Sequence, residues 1–346
     1  MSDVYEKDTN DIISDMNIPW EELENSAILV TGATGLVGGA LVHALSAAND
    51  QHNLNLRLIA CGRNNSKGDK LALRPYIEFI CGDIRNPELF SGITCNIDYI
   101  FHCAAITTSA DMVGKPVDVM ITATDSTKNM LELARMKGCQ SFVYLSSMEI
   151  YGQTSLNEVC ESDLGYLDLS NPRSSYPESK RYCEMLCVAY AKQYSLPVKI
   201  ARLAQTFGAG TPKDDTRVFA QFARSAINGE NIVLHTEGKS RGNYCYISDC
   251  IRGLIAVLLK GKDSEAYNIA NPAASATIRE MAELVARVIG AGKSGVVTDI
   301  PEKAAELGYA PTVGYFLNVN KLLALGWMPE YDLCEMYRRL ARDWCE

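Results

Sequence analysis

The chain has 346 residues, of which 47% are hydrophobic and 22% are charged, which is typical of a folded protein and excludes wholesale disorder. Its length allows two domains, or one large α/β domain with a smaller lobe. The formal net charge is -9, and an acidic chain attracts neither nucleic acid nor an anionic membrane, so we expect it to bind neither.

The first 26 residues are an acidic N-terminal extension. Apolar residues recur at loosely helical spacing between Asp11 and Leu23, which predicts a helix packed on the body of the protein. The opening residues are too acidic and polar for a secretory signal peptide. The uncharged stretch 28–48 is long enough to span a membrane, but its four glycines and its strand-like start predict a strand, a loop and a helix.

Apolar runs and helical stretches alternate from residue 27 to residue 203. The apolar runs predict strands at 27–30, 56–60, 77–82, 97–105, 141–147 and 198–203. Between them, helices are predicted at stretches such as 36–48, 116–137 and 177–194. This alternation indicates an α/β protein with a doubly wound parallel sheet and helices on both faces.

After residue 205 the order of elements loosens. A turn rich in glycine, proline and aspartate precedes a predicted helix near 217–228, and further elements are predicted at 232–235, 266–271 and 277–290. We predict a sheet domain at 27–204 together with 243–270. A smaller, interleaved C-terminal lobe is predicted at 205–242 and 271–346.

Metal binding is not expected from the cysteines and histidines. The chain has twelve cysteines and four histidines, but no C-x-x-C pair and no adjacent histidines, so the spacing of a zinc site is missing. Free thiols without an export signal predict a reducing, cytoplasmic location.

A glycine-rich turn follows the first predicted strand and opens the next helix. Gly32, Gly35 and Gly38 form G-x-x-G-x-x-G, which lets the backbone turn sharply and approach a pyrophosphate closely. The helix start supplies free N–H groups and a positive dipole end. Strand, glycines and helix stand in the right order for a Rossmann-type dinucleotide-binding domain. Its predicted cradle consists of Gly32, Thr34, Gly35, Leu36, Val37 and Gly38.

The end of the second predicted strand distinguishes NAD from NADP, because an acidic residue there binds the ribose 2′-hydroxyl. This chain has no carboxylate at 60–64 but carries Arg63, whose guanidinium matches a 2′-phosphate. The sequence therefore favours NADP and leaves NAD open. Further cofactor contacts are predicted after the third and fourth strands, at Asp83, Ile84, Ala104 and Ala105.

A tyrosine and a lysine stand four residues apart in a predicted helix. Tyr176 and Lys180 therefore share one helix face, and we expect the ammonium to lower the pKa of the phenol and make it a base. Ser146 and Ser147 end the fifth predicted strand, between the glycine turn and this pair. The three elements together are far more specific than Y-x-x-x-K alone.

These residues resemble the extended short-chain dehydrogenase/reductases, and among them the nucleotide-sugar epimerase/dehydratase family. The resemblance runs from about residue 27 to residue 329 and includes S-M-E-I-Y-G at 147–152, Y-I-S-D at 246–249 and L-G-W-M-P at 325–329. It implies Ser147, Tyr176 and Lys180 as a catalytic triad, with Tyr176 deprotonating a sugar hydroxyl as hydride passes to the nicotinamide. It also implies a nucleotide-diphosphate sugar as substrate, held by the smaller lobe.

Two segments, P-R-S-S-Y-P-E-S-K-R at 172–181 and R-V-F-A-Q-F at 217–222, are similar to those of the UDP-glucuronate decarboxylases in that family. Glu149 stands where decarboxylases and 4,6-dehydratases keep a catalytic glutamate that simple 4-epimerases usually lack. The resemblance implies a set of substrate-binding residues, namely Thr107, Arg173, Gln205, Arg217 and Arg241. Arg202 is a further candidate to neutralise the substrate diphosphate.

Three positions depart from the family pattern. Met148 replaces the acid with which dehydratases protonate the leaving hydroxyl, and Gln205 replaces an asparagine that contacts the substrate phosphate. Arg241 lies three residues before Tyr244, whereas the family's phosphate-binding arginine lies two before an aromatic residue. Either glutamine substitutes for asparagine and a bulge absorbs the slip, or these positions mark a different sugar.

The leading prediction is therefore an enzyme, a nucleotide-sugar epimerase, dehydratase or decarboxylase that uses NAD or NADP. The runner-up is an NADP-dependent reductase of a 4-keto nucleotide sugar, which Arg63 favours and Glu149 disfavours. A non-catalytic cofactor-binding scaffold is an alternative of another class. The presence of Ser147, Tyr176 and Lys180 together argues against that scaffold.

The helices predicted at 116–137 and 177–194 resemble those that pair into a four-helix dimer interface in the family. The resemblance therefore implies a homodimer. Candidates for the interface are Met130, Leu133, Met185, Cys187 and Tyr190. Packing of these side chains inside a single chain is an equal interpretation.

Overall fold

The structure is a computed structural model that describes residues 2–300 and 313–346. Its strands are, in chain order, β1 (Ala27–Thr31), β2 (Arg57–Gly62), β3 (Ile77–Cys81), β4 (Tyr99–His102), β5 (Ser141–Ser147), β6 (Glu158–Val159), β7 (Val198–Leu203), β8 (Gln205–Phe207), β9 (Ile232–Leu234), β10 (Arg241–Tyr246), β11 (Ala266–Ile269), β12 (Asn271–Thr277), β13 (Val296–Thr298) and β14 (Phe316–Leu317).

The helices of the same residues are α1 (Asp3–Ile13), α2 (Leu36–His52), α3 (Asn65–Leu71), α4 (Ser109–Gly114), α5 (Pro116–Lys137), α6 (Ser175–Tyr194), α7 (Val218–Ile227), α8 (Ile247–Lys260), α9 (Ile278–Val288), α10 (Asn320–Leu323) and α11 (Leu333–Cys345). Short 3₁₀ turns lie at Trp20–Leu23, Pro87–Phe90, Met148–Tyr151 and Pro172–Ser174.

Seven strands form a parallel sheet in the order β11-β7-β5-β4-β1-β2-β3. The strands are apolar almost throughout because helices cover both faces of the sheet. Ile28 and Val30 of β1 face the core beneath α2 and α8, whereas Leu29 faces the core beneath α5 and α6. The predicted doubly wound α/β fold is confirmed.

The winding of the sheet reverses between β1 and β4. Val30 of β1 lies opposite Ala60 of β2 on one side and opposite Phe101 of β4 on the other. The loops after β1 and β4 therefore diverge at the carboxyl edge of the sheet and leave a crevice there, which is where ligands bind in this class of fold.

A smaller group of elements packs beside the central sheet. It contains the three-stranded sheet β12-β10-β8, the pair β13-β9, and helices α7, α9 and α11. The predicted elements at 217–228, 232–235 and 277–290 correspond to α7, β9 and α9. Strand β10 belongs to the three-stranded sheet, while β11 belongs to the central one. The exact division into two domains stays a prediction.

The N-terminal extension packs on the body of the protein, but its helix lies earlier than the sequence predicts. The Asp15 carboxylate accepts the N–H of Asn17 in a turn, and Pro19 lacks the N–H that a continuing helix needs. Helix α1 therefore ends at Ile13, and Met16, expected on the buried face, is 96% exposed. Across residues 2–300 and 313–346, no helix combines the length and the apolar character that a membrane crossing requires.

Candidate active site

A cavity of about 1060 Å³ lies at the carboxyl edge of the central sheet. The ends of β1, β2, β3, β4, β5 and β7 all contribute residues to its wall. Most of the predicted site residues meet there, namely Gly32, Thr34, Gly35, Leu36, Val37, Gly38, Arg63, Asp83, Ile84, Ala104, Ala105, Thr107, Ser147, Glu149, Tyr176, Lys180, Gln205 and Arg217. Their roles stay predictions, but their convergence on one cavity is a property of the fold.

The glycine turn closes one end of this cavity. Gly32 has φ of +66°, and a β-carbon there would lie 2.9 Å from the backbone nitrogen of Ala104. A β-carbon at Gly38 would overlap the carbonyl oxygen of Gly32. Helix α2 starts directly after Gly35, which has no side chain to cap it, so its first N–H groups remain available at the cavity. The turn therefore fits the pyrophosphate of a dinucleotide.

Charged side chains follow β2 and β3 at the same end of the cavity. Arg63 is exposed and lines the wall, and no acidic residue stands beside it at 60–64. Arg85 donates from Nε to both carboxylate oxygens of Asp83, at 3.0 and 2.9 Å, and these hydrogen bonds lower the pKa of Asp83. At this end of the cavity, Arg63 and Arg85 offer guanidinium groups to an anion, and the Asp83 carboxylate is already paired with Arg85.

Tyr176 and Lys180 project from the first turns of α6 toward the end of β5. The Lys180 ammonium donates to the carbonyl oxygen of Leu145 at 2.6 Å and lies 5.9 Å from the centre of the Tyr176 ring. Ser147, the last residue of β5, lies beside the Tyr176 hydroxyl and favours its ionised form. The four-residue spacing thus places phenol and ammonium together, as the sequence indicates.

The expected lowering of the Tyr176 pKa is wrong for the protein chain by itself. Burial raises the pKa of Tyr176, and the Glu149 carboxylate raises it further. The neighbouring Ser147 hydroxyl and the positive charges of Arg173 and Arg217 act in the opposite direction but do not prevail. Burial also lowers the pKa of Lys180. Burial of the phenol therefore outweighs the effect that the sequence predicts for Lys180.

Glu149 and Arg173 form an ion pair beside Tyr176. The guanidinium donates from Nη1 and Nη2 to the two carboxylate oxygens, at 2.7 and 3.2 Å. Glu149 lies in the 3₁₀ turn after β5, where its N–H donates to the Ser147 hydroxyl, and Arg173 lies in the turn before α6. Glu149 lines the cavity, but Arg173 does not and reaches it only through Glu149. Direct contact of Arg173 with substrate is therefore not supported.

Arg217 and Gln205 also line the cavity, next to the smaller group of elements. The Asp215 carboxylate accepts hydrogen bonds from the Arg217 side chain, at 3.1 Å from Nε to each oxygen and at 2.6 Å from Nη2, and these bonds orient the guanidinium. The side-chain carbonyl oxygen of Gln205 is buried without a hydrogen-bond partner. A ligand that donates a hydrogen bond to it would satisfy this acceptor.

Two arginines proposed for the substrate diphosphate lie outside the cavity. Arg202 is buried and forms an ion pair with Glu184 at 2.7 Å, so its charge is already neutralised. Strand β10 does contain an irregularity between Gly242 and Tyr244, which is the bulge that could absorb the one-residue slip. Arg241 nevertheless points to Ser275 and Glu280 rather than to the cavity.

Several lining residues carry no sequence motif and were not predicted. Met112 of α4 and Thr122 of α5 line the cavity because the tertiary fold brings their helices beside it. Asp215 could have been found, since a carboxylate two residues before Arg217 is well placed to hold its side chain. The side chains of Cys61 and Cys103 also line the wall as free thiols.

Known proteins are similar to this chain in sequence and in fold. A family model described as the NAD dependent epimerase/dehydratase family matches residues 28–270. UDP-glucuronic acid decarboxylase 3 of Arabidopsis thaliana is 30% identical over 317 residues, which cover 90% of this chain and 86% of the relative. UDP-glucuronic acid decarboxylase 1 of Xenopus tropicalis is 29% identical over 271 residues, and the match covers 78% of this chain and 62% of that protein.

Two solved structures show the same fold. An epimerase from Methanothermobacter thermautotrophicus has a TM-score of 0.79 at 23% identity, with 96% of each chain covered. UDP-glucuronic acid 4-epimerase from Bacillus cereus, in complex with UDP-glucuronic acid and NAD, has a TM-score of 0.74 at 24% identity, covering 91% of this chain and 98% of that one. The family and the enzyme class predicted from the motifs are confirmed, and the chain belongs to the NAD dependent epimerase/dehydratase family.

Proposed function

We propose that this protein modifies a nucleotide-diphosphate sugar through a transient keto-sugar, with Tyr176 as the base. The observation that carries the proposal is the single cavity, which joins the glycine turn at one end to Tyr176, Lys180 and Glu149 at the other. A dinucleotide laid along the turn and a sugar beside Tyr176 would therefore share one cavity, so that hydride and proton transfer could take place side by side.

The residues around Tyr176 divide the proton chemistry between them. NAD or NADP, when bound, supplies the acceptor for a sugar hydride and later returns it. As the phenolate, Tyr176 takes the proton of the sugar hydroxyl while that carbon becomes a ketone, and as the phenol it gives the proton back when the hydroxyl reforms. Lys180 lies 5.9 Å from the centre of the Tyr176 ring, where its charge would favour the phenolate, and Ser147 would hold the reacting sugar hydroxyl by a hydrogen bond.

The ketone determines which reactions become possible. It acidifies the neighbouring C–H bonds, which permits epimerisation or elimination. In a hexuronate, a ketone at carbon 4 lies β to the carboxylate, so loss of carbon dioxide leaves an enolate that the ketone stabilises. Glu149 lines the same cavity and is the group that we assign to exchange a proton with carbon 5, from which the carboxylate leaves. The decarboxylase names of the relatives make UDP-glucuronate the first substrate to examine.

Mass spectrometry of the product from UDP-glucuronate tests the proposal. Purified protein with added NAD or NADP is expected to yield a product that has lost carbon dioxide. A sugar isomer of unchanged mass would identify an epimerase and keep the keto-sugar mechanism. The absence of any product from UDP-, dTDP-, CDP- and GDP-sugars, with cofactor still bound, would refute the proposal and support a cofactor-binding scaffold.

A second candidate, an NADP-dependent reductase of a 4-keto nucleotide sugar, is favoured by the exposed Arg63 at the cavity wall. This candidate would consume NADPH, whereas the leading proposal returns its hydride to the sugar. Net oxidation of NADPH with a 4-keto sugar would therefore favour the reductase.

A separate prediction concerns the role of Arg63 in the choice between NAD and NADP. Arg63→Ala is expected to raise the Kd for NADP by about 10-fold, since a hydrogen bond between charged groups is lost, and to leave the Kd for NAD unchanged. Arg74→Ala is the control, because Arg74 is also exposed but pairs with Asp50 outside the cavity. Equal affinity of the Arg63 variant and the wild type for NADP would show that Arg63 does not bind the 2′-phosphate.

We propose a homodimer that uses the outer faces of α5 and α6. Met130, Leu133, Cys187 and Tyr190 do not belong to it, because they are buried inside the single chain. Other apolar side chains on the two helices are exposed at three- and four-residue spacing, namely Val117, Met120, Ile121, Tyr182 and Met185. An apolar patch of this kind marks an interaction surface.

Met185→Glu is expected to give a monomer, because it places a charge in the proposed interface. Light scattering would then report about 38.0 kDa for the variant and twice that mass for the wild type. Met328→Glu is the control, since Met328 is equally exposed but lies away from both helices. A monomeric wild type would contradict the dimer.

We also propose a reducing, cytoplasmic location for the protein. All twelve cysteines are free, which supports this compartment.

A further inference from the structure

Helices α1 and α11 lie outside the residues that the family model matches, and a buried ion pair joins them. The Asp8 carboxylate is 4% exposed and accepts hydrogen bonds from Arg339 of α11 and, at 2.6 Å, from the Tyr246 hydroxyl. The Arg339 guanidinium also lies 4.1 Å from the centre of the Tyr331 ring. We call this arrangement, Asp8 with Arg339, Asp343 and Trp344 of α11, the α1–α11 clamp.

The clamp holds one loop of the protein, residues 208–211. The Tyr246 hydroxyl that donates to Asp8 accepts the N–H of Ala209 at 3.4 Å. Asp343 accepts the N–H of Gly210 at 2.9 Å, and the Trp344 indole donates to the carbonyl oxygen of Thr211 at 2.8 Å. Each of three consecutive loop residues is thus bonded to the clamp or to the tyrosine that it orients.

The chain leaves this loop directly into the wall of the cavity. Pro212, Asp215 and Arg217 all line the cavity, and hydrogen bonds to the Asp215 carboxylate orient the Arg217 guanidinium. Five residues separate Thr211 from Arg217, so a displacement of the loop shifts the guanidinium. From this geometry we propose that Asp8 is a positioning residue, which acts through the α1–α11 clamp and the 208–211 loop to place Arg217 for the diphosphate of the substrate.

Stability alone does not explain an ion pair at this place. Taking two charges out of water costs several kcal/mol, and apolar side chains of similar size often stabilise a protein as well or better. The hydrogen bonds of a buried carboxylate do fix its partners in direction, as they fix Tyr246 and Arg339 here. A second acid of the same segment, Asp15, pairs with the buried Arg252 of α8, away from the 208–211 loop.

Asp8→Asn tests the proposal, with Asp15→Asn as its matched control. Both variants remove one N-terminal carboxylate from a buried arginine, but only Asp8 contacts the groups that hold the loop. For Asp8→Asn we expect a Kd for UDP about 10-fold higher, from the loss of one well-placed charged contact, with an unchanged Kd for NAD. Amide hydrogen exchange at 208–217 is expected to be faster in Asp8→Asn and unchanged in Asp15→Asn. In turnover, KM for the nucleotide sugar should rise while kcat stays near the wild-type value.

Asp343→Ala provides a second variant if Asp8→Asn fails to fold, because Asp343 is partly exposed and contacts Gly210 directly. It is expected to show the same rise in the Kd for UDP. Wild-type affinity for UDP and wild-type exchange at 208–217 in a folded variant would overturn the proposal, as would equal effects of Asp15→Asn. The role proposed for the clamp depends on the proposed function only for the identity of the substrate that Arg217 binds. If the wild type does not bind UDP, the proposed function fails, while hydrogen exchange still decides whether Asp8 holds the loop.

Discussion

Replacing Tyr176 with Phe is expected to lower kcat by about 10²- to 10⁴-fold, the range that a general acid–base group contributes. The phenol lines the cavity beside Ser147 and Lys180. Phenylalanine keeps the ring, which packs against Met112 and Val119, so the free energy of unfolding should change by only about 1 kcal/mol. Single-turnover kinetics and denaturant unfolding measure the two quantities.

Tyr144→Phe is the control for that experiment. Tyr144 is also buried and its ring centre lies 4.7 Å from the Lys180 ammonium, but its hydroxyl has no partner and it does not line the cavity. We expect nearly wild-type kcat from this variant. A loss of activity as large as that of Tyr176→Phe would mean that packing around Lys180, rather than the Tyr176 hydroxyl, limits the reaction.

Glu149→Gln is expected to lower kcat by about 10²-fold or more while the Kd for NAD stays unchanged. The amide keeps the shape of the side chain but removes the carboxylate that would exchange a proton with the sugar. It also leaves the buried Arg173 without its charged partner, which should cost about 1 to 3 kcal/mol of folding free energy. With less negative charge beside it, the pKa of Tyr176 should fall, because Glu149 raises that pKa in the native protein.

The matched control is Glu178→Gln. Glu178 pairs with Arg181 at 3.2 Å, and its carboxylate is 30% exposed against 27% for Glu149, but it does not line this cavity. Its kcat should stay near the wild-type value. If Glu149→Gln keeps full turnover and forms the same product, Glu149 only orients Arg173, and the proton must come from another group.

The central sheet could be predicted because its strands are buried on both faces. Such strands are continuous apolar runs, and all six predicted runs form strands of the sheet. The seventh strand of the central sheet, β11, is short, and the sequence indicates it only as an apolar segment far along the chain. The sequence predicts the helix of the N-terminal extension too far along the chain, because apolar spacing does not reveal the turn that Asp15 and Pro19 impose.

The cavity residues fall into two groups for the same reason. Gly32 and the pair Tyr176 with Lys180 carry local chemistry that spacing reveals. The direction of an arginine depends instead on which carboxylate the fold brings near it. Arg202 meets Glu184 and Arg241 meets Glu280, and neither partner is close in sequence. The role that we propose for Asp8 could not be predicted from the sequence, because its partner Arg339 lies more than 300 residues further along the chain.

Stopped-flow absorbance with UDP-glucuronate deuterated at carbon 4 tests the keto-sugar mechanism most directly. On mixing with NAD-loaded protein, the absorbance of reduced nicotinamide is expected to rise and then decay as product forms. The rise should be slower with the deuterated sugar than with the unlabelled one, because that C–H bond breaks in the step observed. Product formation with no absorbance transient and no isotope effect would contradict the mechanism, and with it the role proposed for Tyr176.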